Sequence, residues 1–220
     1  MKPIYLMFEE GVSSSQHNKV LEGLTEILNM GNVSSNTDIQ SFGVWRGNDW
    51  LSGNTLNEYQ SVDWYCARAL NQERNQLNVK QLIYDLVTEP WQKQQSHCDI
   101  VITQRDLYAD GCNFILGIGD NDNDFAISSA YRFKHLDEFT RNECLKTISM
   151  HEICHMLGVV NENRTNIEYN LGWHCLDSKC IMRQGVTVEA WVQYTRDRLN
   201  AESPLCSCCQ NDLHTYVQNN

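Results

Sequence analysis

Along the chain, short apolar runs alternate with longer stretches in which apolar residues recur every third or fourth position. Residues 2–9 form the first run, rich in Ile, Tyr, Leu and Phe, and predict a strand. The stretch SSSQHNKVLEGLTEILNMG then repeats apolar residues at helical spacing and closes on Gly31, which predicts a helix. DIQSFGVW reads as a second strand, LNVKQLIYDLVTEPW as a second amphipathic helix that must stop near Pro90, and CDIVITQ as a third strand. Strand, helix, strand, helix, strand is the order of parallel strands joined by crossover helices. NFILGIGDNDNDFAISSAYRF carries two β-rich runs around the polar turn GDNDND, and an edge strand beside the functional site is expected within AISSAYRF. Asp137 is the expected N-cap of a helix that runs through LDEFTRNECLKTISMHEICHMLG to Gly158. VTVEAWVQYTRDRL predicts one more helix, and Pro204 leads into a cysteine-rich tail.

Composition narrows this picture. With 220 residues, 41% of them hydrophobic, the chain can bury the core of one domain, and no Gly/Ser-rich or Pro-rich stretch separates two halves. The net charge of −11 and the lack of a basic run argue against nucleic-acid binding, because phosphate affinity needs clustered Lys and Arg. No apolar stretch approaches the roughly 18 residues of a membrane span. MKPIYLMFEE lacks the pattern of a secretory signal, so a cytoplasmic, monomeric protein is expected.

In a reducing compartment, cysteines bind metal or fill cores more often than they form disulfides. Of the ten here, Cys175 and Cys180 form C-x4-C, and Cys206 and Cys209 form C-x2-C, the two-pair spacing of a tetrahedral thiolate zinc site. Cys208 lies inside the last pair and could replace a neighbour; disulfides among these five are the alternative. Cys66, Cys98, Cys112, Cys144 and Cys154 are scattered and are assigned to packing. His17, His97, His135 and His214 have no partner at ligand spacing, and GIGDNDND fits neither a phosphate loop nor a calcium loop.

The stretch HEICH carries the chemistry. On a helix, His151 and His155 share a face and can present two imidazoles to one zinc, with Glu152 beside them as general base. Zinc lowers the pKa of a bound water to about 7, and a neighbouring carboxylate can take its proton as the water attacks a carbonyl. A catalytic zinc needs a third protein ligand. The candidates are Asn161, whose neutral amide is a poor zinc donor, Glu168, and His174, which is the best of the three.

HEICHMLG, then HC-x4-C-x-M, then C-x2-C, resembles the metzincin metallopeptidases and most closely the archaemetzincin family. The resemblance is strong from about Asn113 to Cys209. It implies His174 as third ligand, Met182 as the methionine of the turn beneath the metal, and a second, structural zinc on Cys175, Cys180, Cys206 and Cys209. It also implies an α/β (α+β) metzincin-like single domain, with a mixed twisted sheet, backing and active-site helices, and a small C-terminal lobe holding the four-cysteine zinc site. The upper lobe would span residues 1–158 and the lower lobe residues 159–220. The chain departs from the family pattern at residues 159–173, VVNENRTNIEYNLGW, which stand where the family has two residues; Asn161 and Glu168 lie inside this insertion. The implied function is zinc-dependent hydrolysis of peptide or protein substrates, and the rival is a zinc-stabilised binding or regulatory module with little turnover.

Overall fold

The computed structural model describes residues 1–33, 38–43, 61–89, 92 and 95–220. Its elements run β1 (Ile4–Phe8), α1 (Ser14–Met30), β2 (Ile39–Gly43), α2 (Val62–Ala69), β3 (Leu70–Asn71), β4 (Gln76–Asn78), α3 (Val79–Val87), β5 (Cys98–Thr103), β6 (Leu107–Tyr108), β7 (Gly117–Asp120), β8 (Phe125–Ser129), α4 (Glu138–Met156), β9 (Ile167–Tyr169), β10 (Trp173–Cys175), α5 (Val188–Leu199) and α6 (Ser207–Asn219).

The main sheet has the order β2-β1-β5-β8-β7. Its β1–β2, β1–β5 and β5–β8 pairs are parallel, and β7 pairs antiparallel with β8. Because strand side chains alternate between faces, β1 sends Ile4 and Leu6 into one core and Tyr5 and Met7 into another. The first core packs α1 and α4 against the sheet, and the second packs α2 and α3. Both faces are covered, which is why β5 and β8 are buried at every position.

Local signals set the helix boundaries. Ser13 caps α1 in a reciprocal box with Gln16, and Asp137 caps α4 by accepting the Thr140 amide at 3.0 Å. Gly158, at φ 67°, turns the chain out of α4, and the amides of Gly158 and Val159 bond back to His155 and Cys154.

Two expectations are corrected. AISSAYRF does not supply the edge: Phe125–Ser129 is an interior strand, and the edge belongs to Gly117–Asp120. A short strand that folds back antiparallel ends the sheet, whereas the more apolar run is the one buried by neighbours on both sides. The helix read from residue 77 starts at Val79, because Leu77 and Asn78 pair with β6 and the Asn78 side chain caps α3. Pro90, Val44 and Trp45 lie outside the described residues.

Candidate functional site

Helix α4 brings His151, Glu152 and His155 to its C-terminal end, where they meet the chain returning from the insertion. Within that insertion, β9 and β10 form an antiparallel hairpin that sets Glu168 opposite His174. His174 Nδ1 faces the Gly172 carbonyl at 3.1 Å, and His151 Nδ1 faces the Ile181 carbonyl at 2.7 Å. A carbonyl only accepts, so each Nδ1 carries the proton and each Nε2 keeps its lone pair. The Nε2 atoms of His151 and His155 stand 3.1 Å apart, and one nitrogen from each of His151, His155 and His174 lies within 4.8 Å of the others. Zinc–nitrogen bonds of about 2.1 Å at tetrahedral angles would space such donors by about 3.4 Å.

Electrostatics agree with a metal-ready set. Burial, reinforced by the other imidazoles, holds His151 well below the ordinary histidine value; burial pushes His155 down to about 3 and also lowers His174. All are therefore neutral donors at neutral pH. Burial pushes Glu152 the other way, up to about 8.

Glu168 is not brought into this group, and Asn161 lines a separate cavity with Gly158, Asp212 and Tyr216. Asn161 sits at the exposed start of the insertion, its amide bonded to Asp212, and Glu168 is exposed on the hairpin. Val160 precedes Asn161 at φ 74°, an unusual conformation for a β-branched residue, and its amide is fixed by Asp212 as well.

Four sulfurs gather below. Cys175, Cys180, Cys206 and Cys209 each place Sγ within 4.8 Å of the others, with 3.7 Å between Cys175 and Cys206 and 3.5 Å between Cys180 and Cys209. Disulfide sulfurs stand about 2.05 Å apart, whereas thiolates on a tetrahedral zinc, at about 2.3 Å each, stand about 3.8 Å apart. The amides of Asp177 and Cys206 point at Cys175 and Cys180, and the Arg164 guanidinium reaches Cys209 at 3.1 Å, all suited to thiolate charge. Cys208 is exposed and outside the cluster. Of the scattered cysteines, Cys66, Cys98, Cys144 and Cys154 are buried, while Cys112 borders the cleft.

The histidines open into a cavity of about 250 Å³ whose walls include Leu116, Gly117, Ile118 and Gly119 on one side and Gly172, Gln184 and Val186 on the other. Several of these residues had no motif to mark them. Glycines alternate at 117 and 119 because β7 lies directly on α4: a Cβ at Gly119 would fall 2.0 Å from the Glu152 carbonyl oxygen and 2.6 Å from His155 Cβ. The Gly-x-Gly spacing on one strand face was the available signal. Trp191 of α5 packs edge-on to His151, with centroids 5.0 Å apart, and donates to the Gly185 carbonyl at 3.0 Å. Nothing in a helical apolar pattern distinguishes that tryptophan from any other core residue.

No protein-family model matches the sequence, and no curated protein does. Solved structures match over nearly the whole chain. The archaemetzincin of Methanopyrus kandleri has a TM-score of 0.66 at 17% identity, covering 99% of this chain and 96% of its own. The archaemetzincin of Archaeoglobus fulgidus, complexed with malonate, has a TM-score of 0.60 at 21% identity, covering 96% and 99%. A zinc-dependent peptidase of Methanocorpusculum labreanum has a TM-score of 0.60 at 15% identity, with the same coverage. At such identities the likeness is one of fold, and the fold is the archaemetzincin-like α/β domain expected from the motifs.

Proposed function

We propose that the chain is a zinc-dependent peptidase with His151, His155 and His174 as the ligands of a catalytic zinc and Glu152 as general base. The observation that carries this reading is the convergence of three neutral imidazoles and a buried carboxylate at the floor of a cleft bordered by the edge strand β7. The fold neighbours named above, archaemetzincins and a zinc-dependent peptidase, support it.

A zinc ion held by the three imidazoles would supply a Lewis acid for the peptide carbonyl and a charge that favours the ionised form of Glu152. The chain's own residues do the rest. The Ile181 and Gly172 carbonyls lock the tautomers of His151 and His174, so their Nε2 atoms stay available as donors. Glu152 accepts a proton from the attacking water and returns it to the leaving amine. An extended peptide aligns along β7 by backbone pairing between the upper lobe, residues 1–158, and the lower lobe, residues 159–220. Met182, fully buried, is the methionine of the turn beneath the histidines, and Cys175, Cys180, Cys206 and Cys209 hold a second, structural zinc.

The test pairs activity with metal content. Glu152→Ala should keep two zinc ions per chain while peptide hydrolysis falls by about 10²–10⁴-fold. Replacing His151 and His155 should lower the count to one. Full activity in Glu152→Ala would overturn the role of the base, and a single zinc in the native chain would favour a binding module.

A further inference from the structure

The hairpin inside the insertion ends in a turn of three residues, Asn170, Leu171 and Gly172, between the paired Tyr169 and Trp173. Leu171 sits there at φ 56°, in the left-handed region where a branched apolar side chain is unfavourable and Asn or Gly is the ordinary choice. The residue is also 64% exposed, so burial in the fold does not account for it. Such an outlier persists only where its surroundings hold it, and here both flanking carbonyls are tied. The Asn170 carbonyl accepts from Gln184 Nε2 at 2.9 Å, and the Gly172 carbonyl faces His174 Nδ1 at 3.1 Å.

This clamp aims Leu171 at the mouth of the catalytic cleft, which it lines together with Val186, itself 53% exposed. The wall carrying Val186 is held from behind by α5: Tyr194 Oη donates to the Gln184 carbonyl at 2.6 Å, and Trp191 Nε1 to that of Gly185 at 3.0 Å. Across the cavity stand Phe114, Ile115, Leu116 and Ile118. An apolar lip, fixed in position and left open to water, borders the histidines. The whole chain carries a net charge of −11, which disfavours an acidic occupant.

Resting on the peptidase reading, we infer that Leu171 is a specificity residue, and that with Val186 it selects peptides bearing a large uncharged apolar side chain near the scissile bond. The insertion thus does more than return the chain to His174. Its turn supplies a contact for the substrate.

Binding separates this inference from catalysis. Blocked tetrapeptides carrying Leu, Phe, Ser or Asp in turn at each position are titrated calorimetrically into zinc-loaded Glu152→Ala protein. At one position, Leu or Phe should bind about tenfold or more tightly than Ser or Asp. Leu171→Asn, which suits the left-handed backbone, should reduce that ratio to about twofold to threefold with zinc content unchanged, and Leu171→Gly should do the same. No apolar preference at any position, or a preference that survives both substitutions, overturns the inference. If native protein cleaves none of these peptides while the preference and its loss are both seen, apolar recognition stands and the peptidase reading falls. If it cleaves them with a preference indifferent to Leu171, the reverse holds.

Discussion

His151 and His174 are buried and His155 is half-buried, none with a counter-ion strong enough to keep it charged, and that has a measurable consequence for stability. The folded values of His151, His155 and His174 lie below the 6.5 of an unfolded imidazole, that of His155 at about 3. Between those limits the unfolded chain binds more protons than the folded one, so stability rises with pH and levels off above about 6.5. Glu152 acts oppositely. Its folded value of about 8 exceeds the ordinary 4.5, so the folded chain holds a proton the unfolded chain has lost, and stability falls as pH rises across that window. His151, held well below the ordinary value, and His155, at about 3, together outweigh the one carboxyl below about pH 6.5, and of these groups only the carboxyl titrates above it. With the histidine site emptied by a mild chelator and the cysteine site loaded, urea denaturation should therefore give greatest stability near pH 6.5. Glu152→Gln should remove the decline toward pH 8; a decline that persists would assign it to another group.

At the scale of elements, the site depends on how closely α4 approaches its neighbours. The β7 contact leaves no room for a methyl group, since a Cβ at Gly119 would overlap the α4 backbone. Gly119→Ala should force strand and helix apart at a cost of about 1–3 kcal/mol, read from denaturant midpoints, and should lower hydrolysis by displacing His155. On the other side, α4 and α5 share a buried ion pair between Glu143 and Arg198, each with a side chain only 6% exposed. Arg198 and Thr195 both bond Thr147, completing a polar seam between the helices. Glu143→Ala leaves the guanidinium buried without its main partner and should cost about 3–5 kcal/mol. Glu143→Gln, which keeps an acceptor there, should cost less, and equal losses would show that packing rather than charge is at stake.

Across the whole molecule, the two candidate metal groups share backbone. His174 directly precedes Cys175, and the carbonyl that orients His151 belongs to Ile181, the neighbour of Cys180. The Cys175 amide bonds the Met182 carbonyl, and the Ile181 amide bonds that of Pro204, which ties this segment to the tail leading into α6. The four-cysteine group is therefore placed to clamp the histidine group as well as the C-terminal segment. Cys206→Ser, which leaves three thiolates, should release the cysteine-site zinc, expose residues 159–220 to hydrogen exchange, and weaken zinc binding at the histidines by at least about tenfold. Normal histidine-site affinity in a variant that has lost the other zinc would show that the two groups are independent.

Much of this protein was written locally. Strand and helix periods, the Ser13 and Asp137 caps and the stop at Gly158 are short-range properties, and H-E-x-x-H works because helix geometry alone puts residues four apart on one face. The cysteine pairs pointed to a metal site because each pair is itself a short-range spacing. What the linear order left open depended on contacts between distant segments. The β9–β10 hairpin brings His174 beside the other imidazoles and leaves Glu168 exposed, while Asn161 lies ahead of the hairpin with its amide on Asp212. Cys208 is set apart from its neighbours by the face of α6 it occupies. The edge strand was misplaced because hydrophobicity reports burial, and burial marks the interior strand, whereas an edge is defined by the neighbour it lacks. Leu171 was invisible for a related reason: an exposed leucine in an insertion has no pattern to break, and only the folded backbone shows the left-handed turn that holds it at the mouth of the cleft.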